Sequence, residues 1–138
     1  MYSRKPAANL GICYDPSHAR LQIDHVRVLG EFGDRIKHVH LKDTEILQEG
    51  LYESGILGQS YTSTYGYGEG WWRYTIPGEG LVDWQLILRR LEEMGYDGVL
   101  SIELEDDHFS ATPQLQQEGI LRSRDYISQF LKGYPDGV

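Results

Sequence analysis

The chain has 138 residues, 40% of them hydrophobic and 12% aromatic, enough for one domain with a real core. A formal net charge of -8 and a pI near 5.0 disfavour nucleic acid and anionic membranes as partners, since either contact would add charge repulsion. A single cysteine, Cys13, rules out a disulfide framework within the chain and a thiolate metal cluster, and its expected role is that of a small buried residue in a reducing compartment.

The first predicted strand runs over 9–15, where Gly11, Cys13 and Asp15 share one face and Ile12 and Tyr14 the other. Asp15-Pro-Ser-His18 follows, with Pro16 forcing the chain out of strand pairing, so that Asp15 and His18 either point into one pocket or form a plain Asx-Pro turn. A short helix is predicted over 23–32, with Asp24 as N-cap and Gly33 as its stop. The second strand spans 36–42 and sets His38, His40 and Lys42 on one face, with Val39 and Leu41 behind them. From there to Gly80 the sequence is rich in Gly, Ser and Tyr, and a segment of that length reads as a lid or binding loop over 44–80. A second helix starts at Asp83 and ends before Gly95; a third strand covers 99–105 with Ser101, Glu103 and Glu105 on one face. The last helix opens with Thr112 as cap and Pro113 at its first position and runs to Gly133. The order βα, βα, βα calls for an α/β fold with a parallel sheet and right-handed crossovers. No apolar run approaches the length of a membrane span, and Met1-Tyr-Ser-Arg-Lys5 lacks the apolar stretch of a signal peptide, so the chain reads as soluble and cytoplasmic.

Histidine and carboxylates gathered at the C-terminal ends of parallel strands are the architecture of an α/β site, whereas a merely solvated face carries scattered Lys, Thr and Glu. His40 is the strongest single ligand candidate; His38, deeper in the strand, also fits a satisfied core histidine. Glu103 sits between Ile102 and Leu104, so its carboxylate needs a metal or another cation as partner, or forms a structural ion pair. Glu105, Asp106, Asp107 and His108 read as a solvated loop. In the run from Trp71 to Gly80, Trp72 offers a flat face for a sugar ring and Arg73 a grip for carboxylate, hydroxyls or phosphate; the same rings could anchor the long segment to the domain.

Asp15-Pro-Ser-His18, His38-Val-His-Leu-Lys-Asp43, Pro77-Gly-Glu-Gly80 followed by Val82-Asp-Trp84, and the run from Gly95 to Glu103 together resemble the sugar phosphate isomerase/epimerase family, whose fold is the xylose-isomerase-like TIM barrel. The resemblance implies a divalent ion, Mn²⁺, Mg²⁺, Co²⁺ or Zn²⁺, held by Asp15, His40 and Glu103, with Glu103 also one of two carboxylates that move a proton next to a carbonyl. His18 matches a substrate-contacting histidine; with His38, Lys42, Trp72 and Arg73 it makes the candidate substrate-facing set for a small sugar or sugar phosphate. The related apurinic endonucleases carry Asp-Arg-His before Gly-Glu-Gly where Trp72-Arg73-Tyr74 stand here, so a trinuclear DNA-repair site is not expected.

A full barrel needs eight βα units and about 250 residues. Three units matching the last three strands form only a partial barrel, treated as one domain over 1–138. Either the chain is the C-terminal piece of a longer protein, the favoured reading, or another chain completes the barrel; little or no isomerase activity is expected of the isolated chain. The competing reading is a non-catalytic α/β module that binds carbohydrate or a partner through the aromatic segment from Tyr61 to Tyr74.

Overall fold

The computed structural model describes residues 9–18, 24–57 and 66–131. Three parallel strands form the main sheet: β1 (Ile12–Tyr14), β2 (Ile36–Leu41) and, late in the chain, Val99–Ile102, in that spatial order. Between β1 and β2 lies α1 (His25–Phe32), whose Asp24 side chain caps it by accepting from the amides of Val26 and Arg27. Gly33 does not stop this helix in a left-handed turn. Its φ of -48° and ψ of -47° continue the winding into a 3₁₀ turn over Gly33–Arg35. A Cβ there would lie 2.7 Å from the sulfur of Met94, so any larger residue would have to displace that flexible side chain.

Cys13 pairs with His38 and Tyr14 with Val39, while His40 pairs with Ser101 and Leu41 with Ile102. This register stacks like with like. Tyr14, Val39 and Leu41 turn to the helices and are at most 3% exposed; Leu100 and Ile102 pack against the same cluster. Cys13, Asp15, His38, His40, Ser101 and Glu103 occupy the opposite face.

The segment expected as one long loop carries structure of its own. After Lys42 alone, β3 (Asp43–Ile46) leaves the parallel sheet and pairs antiparallel with β5 (Trp72–Thr75), which in turn holds β4 (Gly68–Glu69); α2 (Gln48–Ser54) lies between β3 and β4. Tyr61 and Tyr65 lie outside the described residues.

Two helices complete the helical layer. α3 (Trp84–Glu93) is capped by Asp83, whose side chain accepts from the Leu86 amide, and buries Trp84, Ile87, Leu88 and Leu91. It ends at Gly95, where φ is +72°. After β6 (Val99–Ile102) and the short α4 (Asp107–Ser110), α5 (Pro113–Ser128) starts as predicted, with Thr112 accepting from the Leu115 amide and Pro113 in the first turn. The third strand therefore closes at Ile102, three residues before its expected end. Among the described residues the main sheet is open at both edges, three strands of a barrel wall, and no helix is long and apolar enough to cross a membrane.

One buried carboxylate locks the two sheets and α3 together. Asp43, 0% exposed, accepts from the amides of Thr44 (2.8 Å), Gly78 (3.2 Å) and Val82 (2.9 Å) and from Trp84 Nε1 (2.8 Å). Burial pushes its carboxyl above the usual range, against the pull of those donors. The turn it grips needs glycine twice: Gly78 has φ of +95°, and a Cβ on Gly80 would lie 2.2 Å from Asp43 Oδ1. The separate motifs Lys42-Asp43, Pro77-Gly-Glu-Gly80 and Val82-Asp-Trp84 are thus one hydrogen-bonded unit.

Candidate metal centre

Asp15, His40 and Glu103 leave the C-terminal ends of β1, β2 and β6, and each can offer a ligand atom within 4.8 Å of the other two. His40 Nδ1 lies 3.0 Å from Glu103 Oε2 and 3.4 Å from Asp15 Oδ2. Residues 16–18 are helical, with Pro16 in the first turn. Asp15 Oδ1 caps that turn by accepting from the Ser17 hydroxyl (2.5 Å) and amide (3.0 Å), which fixes the carboxylate and leaves Oδ2 aimed inward. Oδ2 is buried and has no aligned hydrogen-bond donor, although His18 Nε2, His40 Nδ1 and Lys42 Nζ stand 3.4 to 3.5 Å from it. Burial pushes the Asp15 carboxyl up; the Ser17 hydrogen bond and the charges of Lys42 and His18 outweigh that and hold it below its usual range.

Lys42 is the cation of the pocket. Its side chain is 1% exposed, with Nζ 2.6 Å from Glu103 Oε2 and 2.7 Å from Glu105 Oε2, and 4.4 Å from the centre of the Tyr74 ring. Burial works against its charge, yet the hydrogen bonds to Glu103 and Glu105 and the charge of Asp15 win and hold the ammonium above the ordinary lysine range. Three carboxylates around one ammonium leave the pocket negative, as a cation site requires. An inward lone pair on a buried carboxylate, a second carboxylate and an imidazole are a donor set that suits Mn²⁺, Mg²⁺, Co²⁺ or Zn²⁺.

The other expected residues divide. His18 is exposed and reaches the pocket rim, its Nδ1 2.6 Å from the Tyr74 hydroxyl. His38 stands beside His40, ring centres 5.3 Å apart and nearly perpendicular. Trp72 packs edge-on against Tyr74 at 4.9 Å and so backs the pocket wall through that ring. Arg73 is 5% exposed, with Nη1 3.0 Å from Asp106 Oδ1 and Nη2 2.7 Å from Glu45 Oε2, so the carboxylates it grips belong to the chain itself.

Two expectations need correction. Cys13 is exposed, because the inner face of β1 faces no further strand among the described residues. The acidic run after β6 is not a solvated loop: Glu105 is half-buried on Lys42, and Asp106 is 0% exposed with donors from Arg73, Thr75, Ile76 and His108. The parity of Ser101, Glu103 and Glu105 already pointed Glu105 inward. Tyr74 carries no distinguishing signal in the sequence: it is one of ten tyrosines, and the strand that sets it at the pocket wall, Trp72–Thr75, lies inside the segment expected as a loop.

Ligand-capable residues at the C-terminal ends of parallel strands are the arrangement found at the mouths of α/β barrels. A family model for the xylose isomerase-like TIM barrel matches residues 4–126, and the chain belongs to that family. Among curated relatives it is 31% identical over 121 residues to an inosose dehydratase of Geobacillus thermodenitrificans, covering 87% of this chain and 38% of the relative. It is 32% identical over 123 residues to an inosose dehydratase of Bacillus velezensis, with the same two coverages, and 35% identical over 106 residues to one of Clostridium botulinum, covering 75% and 32%. A solved structure of a xylose isomerase domain protein from Planctomyces limnophilus shares the fold, with a TM-score of 0.65, 23% identity and coverage of 90% of this chain and 38% of that one. The chain therefore spans about two fifths of the length of these proteins or less.

Proposed function

We propose that the chain carries the metal-binding part of an enzyme that removes a proton next to the carbonyl of a small polyhydroxylated ketone or sugar. The observation that carries this reading is the buried Asp15 Oδ2, without an aligned donor, facing His40 and Glu103. Asp15, His40 and Glu103 would hold the ion. A divalent ion there supplies Lewis-acid stabilisation of negative charge on a nearby oxygen.

The chain's own groups supply part of the rest. Glu103 takes the proton from the carbon beside the carbonyl, leaving the electron pair on an enediolate. Lys42, at 2.6 Å, holds the Glu103 carboxylate in place and keeps a fixed positive charge beside it. His18 and Tyr74 at the rim present hydrogen-bonding groups to substrate hydroxyls. Return of the proton to the neighbouring carbon isomerises a sugar, and return to the other face epimerises it. If instead the hydroxyl on the adjacent carbon departs with a proton as water, the outcome is dehydration, and the relatives' name, inosose dehydratase, favours that course. Phosphate specificity is not part of the proposal, because Lys42 and Arg73 are both engaged by carboxylates of the chain. The remaining lining of the pocket comes from further barrel strands, carried by a longer form of the chain or by a partner.

Calorimetric titration with Mn²⁺ tests the ion site directly. One ion per chain is expected, reversible by EDTA, with Asp15→Asn and Glu103→Gln each weakening binding by about tenfold or more. Absence of binding, or binding unchanged in both variants, rejects the reading.

A further inference from the structure

We propose a second, softer ion site on the inner face of the sheet, formed by Cys13, His38 and His40. The register builds it. Cys13 and His38 are directly paired across β1 and β2, His40 follows two residues on, and the pleat turns all three side chains to one face. Each can offer one ligand atom, and the three lie within 4.8 Å of one another. Ligands of a tetrahedral zinc ion, with bonds of about 2.0–2.3 Å, stand roughly 3.3–3.8 Å apart, so closure needs a shift of about 1 Å, within the reach of side-chain rotation. A thiolate and two imidazoles favour Zn²⁺ or Co²⁺ over Mn²⁺ or Mg²⁺, whereas the carboxylate set around Asp15 accepts the harder ions. On binding, the Cys13 thiol gives up its proton to solvent and its sulfur forms the metal bond.

The two sets share His40. A neutral imidazole has one free lone pair, its other nitrogen carrying the proton, so one histidine serves one ion at a time. Occupation of the thiolate site withdraws His40 from Asp15 and Glu103. A soft ion would thereby silence the carboxylate site by taking one of its ligands. The thiolate site stands on its own geometry; only this competition rests on the function proposed above.

Cobalt reports on sulfur directly, through a thiolate-to-metal charge-transfer band in the near ultraviolet. The full chain, kept reduced and titrated with Co²⁺, is expected to develop that band. It should vanish in Cys13→Ser, need at least about tenfold more Co²⁺ in His38→Ala, and persist in Asp15→Asn, where the competing set is weakened. In Cys13→Ser the Mn²⁺ titration heats should be unchanged; in the unaltered chain the single equivalent of Co²⁺ that saturates the charge-transfer band should abolish them, and full Mn²⁺ heats beside a saturated band reject the competition. No band in either the unaltered chain or Asp15→Asn overturns the proposal, as does a band that survives Cys13→Ser. Mn²⁺ heats without a cobalt band reject this site and spare the carboxylate reading; a band without Mn²⁺ heats does the reverse.

Discussion

Asp106→Ala is expected to cost about 3–5 kcal/mol of folding stability, the range for removing one partner of a buried ion pair. The carboxylate has no exposed surface and accepts four hydrogen bonds: from Arg73 Nη1 (3.0 Å), Thr75 Oγ1 (2.8 Å), the Ile76 amide (3.2 Å) and the His108 amide (2.9 Å). Its loss removes a negative charge from beside a guanidinium that is itself 5% exposed, and Glu45 must then balance that charge from the rim. It also uncaps α4. Domains hold only about 5–15 kcal/mol in all, so a variant with this defect should melt far earlier in urea or populate the unfolded state outright. Thr75→Val, which deletes one hydrogen bond to that carboxylate and keeps the shape, should cost about 1.5–3 kcal/mol. A midpoint for Asp106→Ala close to that of Thr75→Val would mean that the ion pair contributes little.

His40→Ala is expected to abolish Mn²⁺ binding. Loss of an outer partner of a metal ligand typically weakens affinity by about 10 to 100-fold, so loss of the ligand itself should exceed that range. No other imidazole among the described residues joins the Asp15 and Glu103 set: His18 is exposed and held at the rim by Tyr74, and His38 groups with Cys13 instead, while Lys42 carries a charge that repels a cation. The fold should tolerate the change, because His40 lies on the face away from the core and its backbone pairing with Ser101 is untouched. Titration heats that match the unaltered chain would remove His40 from the site. Circular dichroism of the same sample guards against a loss that merely reflects unfolding.

The parts of this structure that could be read from residue order are those where one local rule decides the outcome. Alternation in β2 separates Val39 and Leu41 from His38 and His40 without help from any distant contact. Asp24, Asp83 and Thr112 cap their helices because an amide two or three residues on is always within reach. The segment after Lys42 obeys no such rule. β3, β4 and β5 run to four residues at most; β3 finds its place only by pairing with β5, Asp43 against Thr75, far apart in the chain, and the β4–β5 ladder is two residues long. Asp106 looks like any member of an acidic run until Arg73 arrives from 33 residues away. Cys13 departs from expectation because burial of an inner barrel face depends on strands elsewhere in the cylinder, and alternation says only which way a side chain points.

The strict division of labour along β2 and into β3 also shapes how changes to this gene would be experienced by a cell. Substitutions at Val39, Leu41 and Asp43 strike the packed side and should reduce how much protein accumulates, whereas those at His38 and His40 should leave the amount intact and touch only the proposed ion sites. Lys42 breaks the rhythm, being both buried and bound to Glu103 of the proposed site, so its replacement should lower yield and ion binding together.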